Sequence, residues 1–302
     1  MQFPLFTPPI EWVMPDGYPD LSHAKEVAID LETRDPNLLS HGSGWARGDG
    51  EVIGVAVAVG ADSWYFPIRH QNGGNLDAKQ TLAWVKDLCS IDRDYIMHNA
   101  SYDAGWLWRE GIEVKGRIID TMIVGALLDE NRFSYALNAL GRDYLGQRKN
   151  ETELNEAAKS FGVNAKSEMW KLPAHFVGAY AEQDASLTLK LWKRFQGEMA
   201  KEDIQDVFNL ETNVFQVVLA MRKQGVRVDL EKAEILKLQM EKQEREALES
   251  VGGGDIDIWA ATSIAKAFDK EGLKYPRTAK VDAPSFTKNF LANHEHALPR
   301  AV

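Results

Sequence analysis

Apolar runs and helical spacings divide this chain into stretches of different kinds. Residues 26–32, EVAIDLE, begin with the continuous apolar run Val27–Ile29 and read as a buried strand. Strand patterns recur at 51–60 (EVIGVAVAVG) and 63–68 (SWYFPI). Only Ala61 and Asp62 separate these two, which favours an antiparallel hairpin over a crossover. Shorter strands are predicted at 94–99 (DYIMHN) and 116–120 (GRIID). The Gly-rich stretch 40–50 (SHGSGWARGDG) reads as a loop. Leu82, Val85 and Leu88 fall at helical spacing in 77–88, with Asp77 as N-cap, and a further helix is predicted over 103–110. From 121 to about 199 the pattern is helical. It comprises 121–130, 134–146, 153–162 and one long helix starting at Pro173, a residue suited to a first turn. The expected fold class is α/β, a mixed sheet of five strands flanked by helices.

Beyond residue 200 the character changes. Residues 203–225 and 229–254 read as two long amphipathic helices, with GVRVD (225–229) between them and GGG (252–254) closing the second. A shorter helix follows at 261–272, and the remainder is loop-rich, with no repeat or low-complexity tract. The expected domains are 1–203 and a helical segment over 204–302.

Composition narrows the class. Of 302 residues, 44% are hydrophobic and 26% charged, the profile of a folded globular protein. No apolar run approaches the roughly 20 residues of a membrane helix. The opening MQFPLFTPPIEWVMPDGYPD lacks a basic segment and is interrupted by prolines, which argues against a secretory signal. Cys89 is the only cysteine, so no internal disulfide is possible and a reducing cytoplasm is expected. The net charge of −10 opposes broad coating of duplex nucleic acid. It leaves room for an enzyme that grips a few nucleotides at a metal-loaded site. Residues 1–200 hold 20 Lys/Arg against 28 Asp/Glu, the remainder 15 against 17, so the acidity is concentrated in the first segment.

The acid pair in the first strand raises the central question. Asp30 and Glu32 lie two apart and share one face of the strand, at the edge of an apolar core. Each raises the other's pKa and burial worsens the conflict, so either both reach water or a cation holds them. Asp103 follows the fourth strand, four residues after Asn99; Asp120 closes the fifth; Tyr180 and Asp184 share a helix face. Singly, each has an ordinary explanation as a solvated loop charge, an N-cap or a helix-surface contact. Together they are placed so that folding could gather them at one sheet edge. Mg²⁺ or Mn²⁺ suits such an all-oxygen set, and there is no Cys/His cluster to make a zinc site. The pair of histidines in HEH (294–296) reads as a surface loop.

As a set, AIDLET (28–33), HNASYD (98–103) and YAEQDA (180–185) resemble the three exonuclease motifs of the DEDDy 3′–5′ exonucleases, in particular the proofreading domain of family A DNA polymerases. The resemblance extends through IIDTMIVGALLDENR (118–132) and SYALNALGRDYLG (134–146), with no departure at the four acids or the tyrosine. LETNVFQVVLAMRKQGVRVD (210–229) is similar to the start of a polymerase thumb, and 262–278 and 284–291 to its continuation in phage-type enzymes. Nothing resembles the palm carboxylate motifs or the fingers helix, so polymerase activity is expected to be absent; a piece cut from a longer polymerase would explain this.

The resemblance implies an RNase H-like (DnaQ-like) exonuclease fold and removal of nucleotides from single-stranded or frayed DNA 3′ ends with two divalent cations, Mg²⁺ or Mn²⁺. In that scheme Asp30 bridges both ions, Glu32 and Asp184 hold the one that activates water, and Asp103 anchors the second. Tyr180 orients the water, and Thr33 and Asn99 contact the terminal nucleotide. The implied partners are DNA 3′ ends and the remainder of a polymerase, in a bacterial or phage-infected cell. Trp106, Trp108 and Trp170 are candidates for base stacking, with a core role as the competing reading. Arg132, Arg142, Arg148 and Lys149 are candidates for phosphate contacts, with a solvated helical face as the alternative. Two rival functions share these motifs: an RNase D-like exoribonuclease, and a catalytically silent DNA-binding scaffold.

Overall fold

The computed structural model describes residues 12–250 and 252–302; most of the Pro-rich lead-in, residues 1–11, lies outside the described residues. The apolar runs form five strands, β1 (Glu26–Arg34), β2 (Glu51–Val59), β3 (Asp62–Pro67), β4 (Asp94–Met97) and β5 (Arg117–Asp120), ordered β3-β2-β1-β4-β5. β1–β2 and β2–β3 are antiparallel, the latter joined across Gly60 and Ala61 as the short link requires. β1–β4 and β4–β5 are parallel. The helices are α1 (Leu38–His41), α2 (Gly44–Arg47), α3 (Ala78–Cys89), α4 (Ala100–Arg109), α5 (Thr121–Leu128), α6 (Leu137–Leu145), α7 (Thr152–Phe161), α8 (Gly178–Glu202) and α9 (Gln205–Gln224).

The two-residue period of β1 sorts its side chains between two cores. Val27, Ile29 and Leu31 pack with Val85 and Leu88 of α3 and Ala104 and Leu107 of α4. Ala28 packs on the opposite face with Ala56, Ala58 and the α8 residues Ala181 and Ala185. Asp30 and Glu32 continue the Ala28 row, so the strand's period directs both acids towards α8.

Two local predictions change. The loop expected over 40–50 includes the end of α1 and the whole of the single turn α2, and Trp45 of α2 is buried against Gly105, where a Cβ would lie 2.2 Å from the indole. The long helix begins at Gly178 rather than Pro173: Pro173 is extended (ψ 141°) and Ala174–Phe176 form a 3₁₀ turn. Leu172, Ala174, Phe176 and Val177 are all buried, more than one α-helical face can accommodate over six residues. The chain forms compact units 1–225 and 226–302, and the expected boundary at 203/204 lies in the link between α8 and α9. α9 goes with the sheet because Phe208, Phe215 and Leu219 enter its two cores. Its outer face leaves Val207, Leu210, Val214, Val217, Val218 and Met221 exposed.

The second unit holds α10 (Leu230–Ser250), α11 (Ala261–Lys270), α12 (Lys288–Ala292) and α13 (Ala297–Ala301). A small aromatic cluster centres on Phe268, with Tyr275, Phe286 and Phe290 around it. Among the described residues no helix is long and apolar enough to cross a membrane.

Candidate active site

The site forms where β1 passes beneath α8. In the β1–β2 register Asp30 faces Ala56 and Glu32 faces Gly54, so small residues flank both carboxylates. The register slips between Glu32 and Thr33, a bulge that ends regular pairing directly after the second acid. From α8, Asp184 is buried facing the sheet, with Tyr180 one turn earlier on the same face. Carboxylate oxygens of Asp30, Glu32 and Asp184 all lie within 4.8 Å of one another.

Asp103 comes from the first turn of α4 and is buried. Its Oδ1 accepts the backbone N–H of Leu31 at 3.0 Å, which fixes it beside the segment that joins Asp30 to Glu32. The structure thus brings together three of the predicted acids and sets the fourth against their strand. Asp120 serves the fold instead. It caps α5 through Met122 N–H and accepts the N–H groups of Asn99 and Ala100, shaping the β4–α4 turn.

This crowding acts on every acid of the cluster. Burial, and then the Asp184 charge, push Asp30 up to about 7. Burial and the neighbouring Asp30 and Asp184 raise Glu32 well above the usual carboxylate range. Asp103 is raised by burial and by Asp30, against the opposing effect of its Leu31 hydrogen bond. Burial also raises Asp184, while the Lys149 charge and hydrogen bond pull it down. Asp184 Oδ1 is buried without a hydrogen-bond partner. Raised carboxylates, an unpartnered oxygen and an all-oxygen donor set fit a hard divalent cation. One cation is already present, since the Lys149 ammonium donates to Asp184 Oδ2 and, at 3.3 Å, to the Tyr180 hydroxyl. Burial and the charges of Glu32, Asp184 and Asp30 push the Tyr180 phenol far above its ordinary value, so it stays neutral.

The residues expected at the nucleotide lie around this cluster. Thr33 Oγ1 is 2.6 Å from the Tyr102 hydroxyl, which also donates to Asp35 Oδ2 at 3.2 Å. Asn99 is exposed and holds a left-handed backbone (φ 61°) at the N-cap position of α4, with no side-chain cap bond. Trp106 is fully buried in the core, Trp108 is exposed, and half-buried Trp170 lies under the Arg34 guanidinium, 4.8 Å from its ring centre. Arg132 and Arg142 both pair with Asp143. His296 caps α13, and the HEH stretch is a turn in the second unit. Sequence reasoning missed the placement of Lys149 among the acids and the Tyr102–Thr33 bond. For Tyr102 a signal existed in its position directly before Asp103; for Lys149, in a non-periodic loop, there was none.

Known proteins share this framework. The family model for the 3′-5′ exonuclease domain of DNA polymerase A matches residues 18–200. A DNA-directed DNA polymerase of Pseudomonas phage M6 is 34% identical over 98% of this chain and 46% of its own length. DNA polymerase DpoZ of Salmonella phage PMBT28 is 31% identical over 84% of this chain and 40% of its own length. This chain therefore spans less than half the length of these relatives. The POL domain of Pol1 from M. smegmatis, solved with DNA primer-template and dNTP, has a similar fold, with a TM-score of 0.60 at 16% identity over 93% of this chain and 45% of that one. The family match covers the five-stranded mixed sheet and nearly all of α8, and the chain belongs to the 3′-5′ exonuclease family of DNA polymerase A.

Proposed function

We propose that this protein removes nucleotides from single-stranded or frayed DNA 3′ ends as the proofreading module of a polymerase, using two divalent cations, Mg²⁺ or Mn²⁺, at Asp30, Glu32, Asp103 and Asp184. Exonuclease domains of this family use divalent metals, and the acidic cluster meets their ligand requirements. The observation that carries the reading is the convergence of the Asp30, Glu32 and Asp184 oxygens within 4.8 Å, at a place where burial makes them intolerable without a cation. Bound there, the metal would neutralise the carboxylates, lower the pKa of water and stabilise the developing charge on the phosphodiester.

The protein's own groups divide the remaining work. Asp30, Glu32 and Asp184 supply the converging ligand oxygens. Asp103, with Oδ1 committed to Leu31 N–H, presents its other oxygen from the α4 side. Tyr180 cannot act as a base, because its phenol is held neutral, and it orients the attacking water through its hydroxyl. Thr33, braced by Tyr102, and Asn99, at the exposed α4 turn, line the approach of the terminal nucleotide. The segment after residue 204 is read as the start of a polymerase thumb. The remainder of a polymerase is the natural partner for the exposed apolar face of α9, a reading supported by the length of the relatives.

The deciding experiment is digestion of matched 3′-labelled single-stranded DNA and RNA and of paired and mismatched primer ends, with Mg²⁺ or with EDTA. Mononucleotide release from DNA, faster at mismatched ends and abolished by EDTA, is expected. Preference for RNA would favour an exoribonuclease, and absence of release from either substrate would leave only a scaffold.

A further inference from the structure

We propose that Lys149 is a built-in counter-ion of the acidic site, seated on Asp184 and Tyr180 in the metal-free protein and displaced when a divalent ion binds. This rests on reading the cluster as a metal site. The Lys149 side chain is only 12% exposed. Its ammonium donates to Asp184 Oδ2 and to the Tyr180 hydroxyl at 3.3 Å and lies 5.0 Å from the Tyr180 ring centre. These are the two α8 groups that a bound ion and its oriented water would engage.

The seat is constructed by the backbone. α6 ends at Gly146 in the left-handed conformation, which turns the chain back towards α8. The Gln183 side-chain amide then grips the chain on both sides of Lys149. Its Oε1 accepts Asn150 N–H at 2.7 Å and its Nε2 donates to Arg148 C=O at 3.5 Å. Lys149 N–H is itself bound by Asn138 Oδ1 at 3.1 Å. Gln183 directly precedes Asp184, so the helix that carries the acid also fixes the origin of its counter-ion. The aim of the side chain is thus set by its backbone rather than by chance contact.

One ammonium among four carboxylates leaves the site short of positive charge, and Asp184 Oδ1 remains without a partner. A divalent ion on Asp30, Glu32 and Asp184 would share the Asp184 carboxylate that Lys149 holds through Oδ2, and two cations on one carboxylate repel at close range. The flexible four-carbon stem lets the ammonium swing out while the Gln183 clamp stays closed. Lys149 therefore keeps the apo site assembled and, by competing for Asp184, weakens metal binding.

Two measurements without nucleic acid test this. First, acylation of lysines by an amine-reactive ester, read by mass spectrometry, compares the metal-free chain with the chain in saturating Mn²⁺. Lys149 labelling is expected to rise with Mn²⁺ relative to exposed Lys79 and Lys86, and to stay low in an Asp30→Ala/Glu32→Ala variant. Second, calorimetric titration with Mn²⁺ is expected to show Lys149→Met binding about tenfold or more tighter than the parent chain, because a nearby competing charge is gone. Lys149 labelling indifferent to Mn²⁺, or Mn²⁺ binding by Lys149→Met no tighter than the parent, overturns the proposal. The labelling arm needs no folded Lys149 variant. A chain that binds Mn²⁺ and frees Lys149 yet leaves DNA intact would refute the nuclease function alone. A chain that degrades DNA with Lys149 still shielded would refute this proposal alone.

Discussion

Asp103 Oδ1 accepts the backbone N–H of Leu31 at 3.0 Å, fastening the first turn of α4 to β1 between Asp30 and Glu32. One carboxylate thus has a structural bond on one oxygen and a charge close to Asp30. The two roles separate by substitution. Asp103→Asn keeps an acceptor for Leu31 and removes an acid that burial and Asp30 disfavour, so the metal-free protein should melt no lower than the parent. Its DNA cleavage should fall by roughly 10- to 100-fold, the scale for losing a group that supports a metal site. Asp103→Ala should also cost about 1–3 kcal/mol in urea denaturation, because it leaves the Leu31 N–H buried and unpaired.

Tyr180 sits one helical turn from Asp184, and its hydroxyl is held neutral by burial and three neighbouring acids. A neutral phenol orients water without carrying metal charge. Tyr180→Phe should therefore lower kcat by roughly 10- to 100-fold, the range expected from misplacing a reacting group. Mn²⁺ affinity measured by calorimetry should change far less. Full kcat at saturating Mg²⁺ would remove the water-positioning role.

Much of this site was legible because short periods encode it. Asp30 and Glu32 had to share a face by the strand period, and Tyr180 and Asp184 by the helix period. The alternation along β1 also foretold which acids would lie across from the Val27–Ile29–Leu31 face. Tertiary contacts carried what was missed. Lys149 reaches Asp184 through a loop held by Gln183 and Asn138, and no spacing in the chain records those bonds. The start of α8 moved to Gly178 because burial of successive residues overrode the suitability of Pro173 for a first turn. α9 showed an apolar stripe, but an amphipathic pattern does not say which surface receives it, and Phe208, Phe215 and Leu219 chose the sheet.

The crowded acids give stability a definite pH dependence. Asp30 is raised to about 7, and Glu32 and Asp103 are raised well above their usual values, so the native state keeps protons that the unfolded chain releases near pH 4. Stability falls with rising pH wherever the native state holds more protons. His70 and His98, lowered to about 4 by burial, act in the opposite sense, adding stability as pH rises from about 4 to 6.5. At pH 6.5 the unfolded histidines have already lost half their protons, and above it their remaining contribution is outweighed by the three raised carboxylates. In EDTA the melting temperature should fall between pH 6.5 and 8, each retained proton costing about 1.4 kcal/mol per pH unit while it persists. Saturating Mn²⁺, which binds the ionised carboxylates, should flatten or reverse the trend. A melting temperature in EDTA that is constant or rises across this window would contradict the crowding.

Gly54 faces Glu32 across the β1–β2 pair, and a Cβ built there would lie 2.1 Å from the Tyr65 hydroxyl oxygen and 2.3 and 2.4 Å from two carbons of its ring. That ring cannot readily give way. Its hydroxyl is 2.7 Å from His70 Nε2, and His70 Nδ1 is 2.9 Å from the Leu172 carbonyl. A carbonyl only accepts, so Nδ1 carries the hydrogen, and in the neutral ring Nε2 must accept from Tyr65. The phenol is thus anchored from behind and pressed towards Gly54. Gly54→Ala should cost about 1–3 kcal/mol by overpacking, measured by urea denaturation. Tyr65→Phe should cost about 1 kcal/mol on its own, from the lost hydrogen bond to His70. Phe keeps the ring carbons that the methyl would meet but loses the anchor to His70, so its ring is freer to shift aside and the double variant should lose less than the sum of the two single losses. Strictly additive losses would mean that the methyl is accommodated elsewhere and that the wall beside Glu32 is softer than the structure indicates.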